Sequence, residues 1–179
     1  MKPLLTLIDL TAIAQTQAAI PTAPPAKRPE RLRFCTRCGD TTEELETQLL
    51  PYGFDRVCDR CGMGVMLTGP RKALPSAGAA FVVAGRDGKI TAVSEAAERL
   101  LGEEAALLDT PLTSLITSPD GDEQFSRVVS RAAGGSREVS ELRIVASAPA
   151  ARRLGPLSAR IASCGPPRAA LLVLERAPL

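Results

Sequence analysis

Residues 81–102 read Phe81-Val-Val-Ala-Gly-Arg-Asp-Gly-Lys-Ile-Thr-Ala-Val-Ser-Glu-Ala-Ala-Glu-Arg-Leu-Leu-Gly102, and three patterns follow one another inside that stretch. The apolar run Phe81–Ala84 predicts a short buried strand. Arg86-Asp87-Gly88 predicts a hairpin turn, because an Asp-Gly pair takes the positive-φ positions of a tight reversal. Lys89–Val93 returns as a second strand. Ser94 then stands where a helix N-cap belongs, with Glu95 and Glu98 complementing the dipole of the first turn. Ala96, Ala97, Leu100 and Leu101 form the inward stripe of that helix, and Gly102 ends it.

Downstream, helical turns are expected around Ala105–Leu108 and Leu112–Ile116, followed by a longer helix over 123–133. Its Phe125, Val128, Val129 and Ala132 fall at i, i+3, i+4 and i+7, the spacing of one buried stripe. Gly134-Gly135 stops it. Three strands close the chain, Glu138–Ala146, Leu157–Ser163 and Ala169–Glu175, with Gly165-Pro166-Pro167 turning the last hairpin. In the first of them Leu142, Ile144 and Ala146 alternate with Glu141 and Arg143, so one face is wet.

The stretch 81–102 resembles the opening of a PAS domain. There a strand, a Gly turn and a second strand lead into an Asn-x-Ala-Ala-Glu-x-Leu-Leu-Gly helix. Ser94 stands here in place of Asn, and both can cap. The likeness runs from about residue 76 to 177, within a unit taken as 76–179. It implies an α+β fold, a five-stranded antiparallel sheet with flanking helices. The resemblance implies a sensory or dimerisation module, and some of its members enclose haem, flavin or small metabolites. Phe81, Val83, Ile90, Leu101, Leu108, Leu115, Ile116, Phe125, Val129, Leu142, Ile144 and Leu172 are the candidate pocket residues, with plain core filling as the alternative. The chain contains no histidine, which excludes His-ligated haem. Leu112–Ser118 lacks the cysteine of the photoactive flavin subclass. Any other ligand stays unknown. Cys164 lies in phase with Arg160 along its strand and reads as a free peripheral thiol, with a redox switch as the alternative.

Upstream lie two knuckles, Cys35-Thr-Arg-Cys38-Gly39 and Cys58-Asp-Arg-Cys61-Gly62, in the pattern C-x2-C-x19-C-x2-C. Four thiolates at that spacing can surround one tetrahedral metal ion, zinc above all, with no position left open. The site is therefore structural rather than catalytic. Glycines after the second cysteines allow the turned backbone that aims amides at sulfur. The module, assigned to residues 32–67, resembles a zinc ribbon, with 68–75 as a linker. Thr41-x-x-Glu44 has capping-box form, so Glu43–Leu50 is a short helical turn or, as in many ribbons, a strand. Phe34, Tyr52, Phe54, Val57 and Met66 are the expected small apolar cluster, too small to hold without the ion. Residues 1–31 comprise an N-terminal amphipathic helix and a Pro-rich linker.

With 22 basic and 20 acidic residues and a net charge of +2, the balance does not by itself point to nucleic acid. Arg33, Arg37, Arg56 and Arg60, on or beside the knuckles, leave phosphate contact as a second reading. Without histidine there is no Ser-His-Asp or Cys-His catalysis, and no phosphate loop appears, so no enzyme is expected. Paired thiols suit a metal and a reducing, cytoplasmic compartment. The apolar run Leu4–Leu10 is interrupted by Asp9 and falls short of the roughly 20 residues that span a bilayer. The expected function is a cytoplasmic sensory or regulatory protein, homodimeric through the outer sheet face and the N-terminal helix. That self-association is what the PAS resemblance implies, and a separate partner protein would carry the output. Iron in the four-cysteine site, as in rubredoxin, is the third reading.

Overall fold

β1 (Arg31–Cys35), β2 (Thr41–Thr42) and β3 (Met66–Pro70) form a small antiparallel sheet in the order β2-β1-β3. The computed structural model describes residues 30–42 and 56–177. The expected N-terminal helix, the Pro-rich linker up to residue 29, the turn at Glu43–Leu50, Tyr52 and Phe54 lie outside those residues, while Arg31, taken as the linker's end, opens β1. Thr68, Gly69 and Pro70 were expected in a linker, yet they belong to β3, where they pair with Arg33, Leu32 and Arg31. A 3-10 turn, Arg71–Ala73, follows within that stretch, with Ala73 fully buried.

The second sheet is larger. Its strands are β4 (Ala80–Ala84), β5 (Ile90–Val93), β6 (Ile116–Thr117), β7 (Ser140–Ala146), β8 (Leu157–Cys164) and β9 (Ala169–Arg176), in the order β5-β4-β9-β8-β7-β6. All its pairings are antiparallel. The sequence reading expected five strands. Ile116–Thr117 adds a sixth by pairing with Ala146 and Val145, taking Ile116 out of the helical turn expected for it. The helices are α1 (Glu95–Leu101), α2 (Glu104–Leu107), α3 (Leu112–Leu115), α4 (Asp122–Ala133) and α5 (Pro149–Arg152). The fold is thus mixed α+β, a curled antiparallel sheet with few helices, and the short α5 had no counterpart in the sequence reading.

The hairpin at 85–89 closes as its Asp-Gly pair requires: Gly85 N–H donates to Lys89 O at 2.8 Å and Gly88 has φ +77°. Ser94 caps α1, its hydroxyl oxygen accepting from Ala97 N–H at 3.1 Å. The same oxygen accepts from Phe81 N–H at 2.9 Å, and the hydroxyl donates to Ala79 O at 3.1 Å. Ser94 therefore joins the helix start to β4 as well as capping it.

The large sheet buries one face throughout and the other over β4, β8 and β9, while Glu141, Arg143 and Val145 leave the outer side of β7 wet, as its alternation predicted. Toward the helices, Val82, Ile90, Ile116, Phe125, Val129, Ile144, Ile161 and Leu172 belong to one core. On the other face, Phe81, Val83, Cys164, Ala169, Leu171 and Val173 pack against Leu32, Phe34, Leu67 and Leu74 of the ribbon and the turn after it. β4 and most of β9 are buried at consecutive positions. A strand covered on one side shows alternation; continuous apolar runs mark strands covered on both. The part of the outer face formed by β4, β9 and the end of β8 is thus covered by the chain's own four-cysteine unit.

Alternation along β4 also corrects the pocket assignment. Phe81 and Val83 point away from Val82, so they contact the ribbon and not the helices. Leu108 ends α2 and is 39% exposed. Leu101, Ile90, Ile116, Phe125, Val129, Ile144 and Leu172 are in the helix-side core, with Leu115 and Leu142 partly buried against it.

Candidate metal centre

Each knuckle is a turn closed by the glycine behind its second cysteine. Gly39 N–H donates to Cys35 O at 3.1 Å, and Gly62 N–H to Cys58 O at 2.8 Å. These glycines have φ of +74° and +66°, the left-handed region where a side chain is strained. β1 delivers Cys35 at its end, and a bridge between Val57 and Val65 brackets the second knuckle. Thr36 N–H donates to Val65 O at 2.9 Å, and Val65 N–H returns a bond to Thr36 Oγ1 at 2.9 Å, joining the knuckles.

The four sulfurs lie within 4.8 Å of one another. Cys35 Sγ is 3.6 Å from Cys61 Sγ, and Cys38 Sγ is 3.9 Å from Cys58 Sγ. A regular tetrahedron with metal–sulfur bonds of about 2.3 Å has edges of about 3.8 Å. Disulfides need about 2.05 Å. The cluster therefore fits a metal ion and is compatible with structural zinc, held by Cys35, Cys38, Cys58 and Cys61. Four sulfurs fill the tetrahedron, so the geometry offers a cross-link between two chain segments and no vacant position.

Backbone amides aim at the ligands as the glycine pattern implied. Arg37 N–H and Cys38 N–H point to Cys35 Sγ at 3.3 and 3.5 Å, and Gly64 N–H to Cys61 Sγ at 3.4 Å. The amides of Met63 and Gly64 bring the Cys61 thiol down to about 6. Burial pushes Cys35 up to about 12 and Cys38 upward as well. Metal must displace those protons, since the thiolate is the ligand.

The knuckle arginines are engaged within the chain. Arg37 contacts Glu98 Oε2 at 2.6 Å and Glu104 Oε2 at 3.1 Å, and its carbonyl accepts from Glu95 N–H at 2.9 Å. It therefore latches the first knuckle to the starts of α1 and α2. Arg60 pairs with Asp40 at 2.6 Å. Of the expected apolar cluster, Phe34 is fully buried, Met66 is half-buried, and Val57 is 49% exposed.

Sequence reasoning missed three features. One is Gly64, which lies against Cys35 Sγ and Arg37. Another is a half-open cleft of about 420 Å³ at the seam of ribbon and sheet, lined by Arg37, Met63, Val65, Thr91, Ala92 and Glu104 among others. The third is the burial of Cys164, which is 2% exposed beneath the ribbon and not peripheral. Only the continuous apolar runs of β4 and β9 could have signalled that cover. Among the described residues no helix is long and apolar enough to cross a membrane. Comparison with known proteins gives no match: no family model fits the chain, and no curated protein is similar to it.

Proposed function

We propose that this chain is a non-catalytic regulatory protein in which a PAS-like domain carries a structural zinc ribbon on its outer sheet face. The observation that carries this reading is the shared core of ribbon and sheet. A metal module built into the sheet reports the state of that sheet to a partner protein. The resemblance over 81–102 and the element order strand, strand, short helices, long helix and three strands support the PAS-like assignment. Met63, Val65 and Val57, 73%, 43% and 49% exposed, give the second knuckle an apolar surface of the kind a partner buries. Of the four arginines on which the nucleic-acid reading stands, Arg37 and Arg60 are paired with carboxylates, which leaves Arg33 and Arg56 to carry it.

Native mass spectrometry of the protein purified without added metal tests the proposal. One zinc per chain with a further discrete mass supports a ligand sensor. One zinc with nothing further supports a scaffold for a partner. Iron with visible thiolate-to-metal absorption, or no metal, defeats the zinc-ribbon reading.

A further inference from the structure

Phe81, Val83, Ala169, Leu171 and Val173 make the outer face of the large sheet apolar, and none is more than 4% exposed. Leu32, Phe34, Leu67 and Leu74 keep water from them. Several attachments hold the ribbon in place, among them a bond from the Arg160 guanidinium to Leu74 O at 3.4 Å. The Phe34 ring meets Phe81 edge-on, centroids 5.9 Å apart at 80°. Thr68 and Gly165 exchange backbone hydrogen bonds of 2.8 and 3.0 Å. Arg37 latches onto Glu98 and Glu104.

Two of these attachments sit directly on the metal centre. Phe34 precedes Cys35, and Arg37 lies between Cys35 and Cys38. β3, which carries Thr68, follows the second knuckle after Gly64 and Val65. Without a metal the knuckles lose their cross-link, and the backbone that aims Arg37 at α1 loses its fixed form. A three-stranded sheet this small has no sufficient core of its own.

We propose that the metal centre operates a cover: with metal bound, the ribbon seals the outer sheet face and the Cys164 thiol beneath it, and withdrawal of the metal lifts the ribbon from both. The inference rests on the metal reading above and deepens it into a means of regulation, in which loss of metal presents a new apolar face. Cys164 is a built-in reporter. It is 2% exposed beneath the ribbon, which denies a reagent access, and the same burial pushes its thiol up to about 12, so alkylation is slow. Uncovered, the thiol returns toward its ordinary range and reacts.

The test counts alkylated cysteines by intact mass and peptide mapping in the full chain, with and without a zinc chelator. Amide exchange of β8 and β9 is followed in parallel. In the metal-bound protein Cys164 labels slowly. After chelation it labels at least about tenfold faster while β8 and β9 keep their amide protection. Cys61→Ser, which removes one ligand and leaves the apolar contacts intact, labels Cys164 quickly without chelator. The proposal is overturned if the four knuckle thiols label after chelation while Cys164 keeps its original rate. Loss of β8–β9 protection together with Cys164 labelling also overturns it, because the whole sheet has then opened. Protein that carries no metal as purified and labels at the knuckles at once shows instead that the metal reading itself has failed.

Discussion

A Cβ atom added to Gly64 would fall on the sulfur of Cys35 and 2.8 Å from both Cβ and N of Arg37. Neither neighbour can yield, since one is a candidate metal ligand fixed in the sulfur cluster and the other belongs to the first knuckle. Gly64→Ala therefore pushes the knuckles apart, and metal affinity in chelator competition drops by about 10–100-fold, the usual effect of disturbing a ligand's supporting contacts. Affinity within twofold of the parent would show that the knuckles approach less closely. Gly39 and Gly62 were legible in the sequence because their requirement is local, a positive φ after Cys-x-x-Cys. The requirement at Gly64 arises from another chain segment, which no local pattern reveals. Cys164 divides the same way: its phase along the strand was readable, but the ribbon above it was not.

Among the elements, α1 was the most legible and also hides the least expected contact. Ser94, its inward stripe and Gly102 set its limits by local chemistry. Its outward Glu98, read only as a dipole partner, accepts from Glu104 N–H at 3.0 Å and from Arg37 at 2.6 Å. The Glu104 amide and then the Arg37 guanidinium hold the Glu98 carboxyl below its ordinary value. A carboxyl with a lowered folded-state value contributes stability above its unfolded value, and that contribution is lost as pH falls through the folded value. Wild type is accordingly more stable than Glu98→Gln at neutral pH. The gap closes on acidification below the ordinary glutamate range, as denaturant midpoints measured against pH will show. A gap independent of pH would mean that the carboxylate charge plays no part in the latch. β3 was the least legible element. Thr68-Gly69-Pro70 has the composition of a turn, and only pairing with β1 makes it a strand. Ile116–Thr117 is a strand for the same reason, through its pairing with β7.

At the scale of the whole molecule, sequence reading separates a metal module from a sensory module by a linker. Each half was legible in itself, through cysteine spacing in one and hydrophobic periodicity in the other. Their union was not, because contacts between distant segments leave no periodic trace beyond the unbroken apolar runs of β4 and β9. The distinction has a thermodynamic consequence. Independent modules would melt separately, and metal would raise only the transition of the ribbon. Here Leu32, Phe34, Leu67 and Leu74 share one core with Phe81, Leu171 and Val173, so unfolding the ribbon exposes sheet, and unfolding the sheet removes the ribbon's seat. Metal that binds the folded chain alone stabilises everything coupled to it, by about 2.7 kcal/mol at a free concentration 100 times the dissociation constant. Scanning calorimetry of the metal-bound chain should therefore show a single transition, with calorimetric and van't Hoff enthalpies equal. Its midpoint should rise with added zinc. Chelation should lower the midpoint and the enthalpy together, because the ribbon has left the cooperative unit before heating begins. Two resolved transitions in the metal-bound protein, with only one responding to zinc, would mean that the shared core does not couple ribbon and sheet.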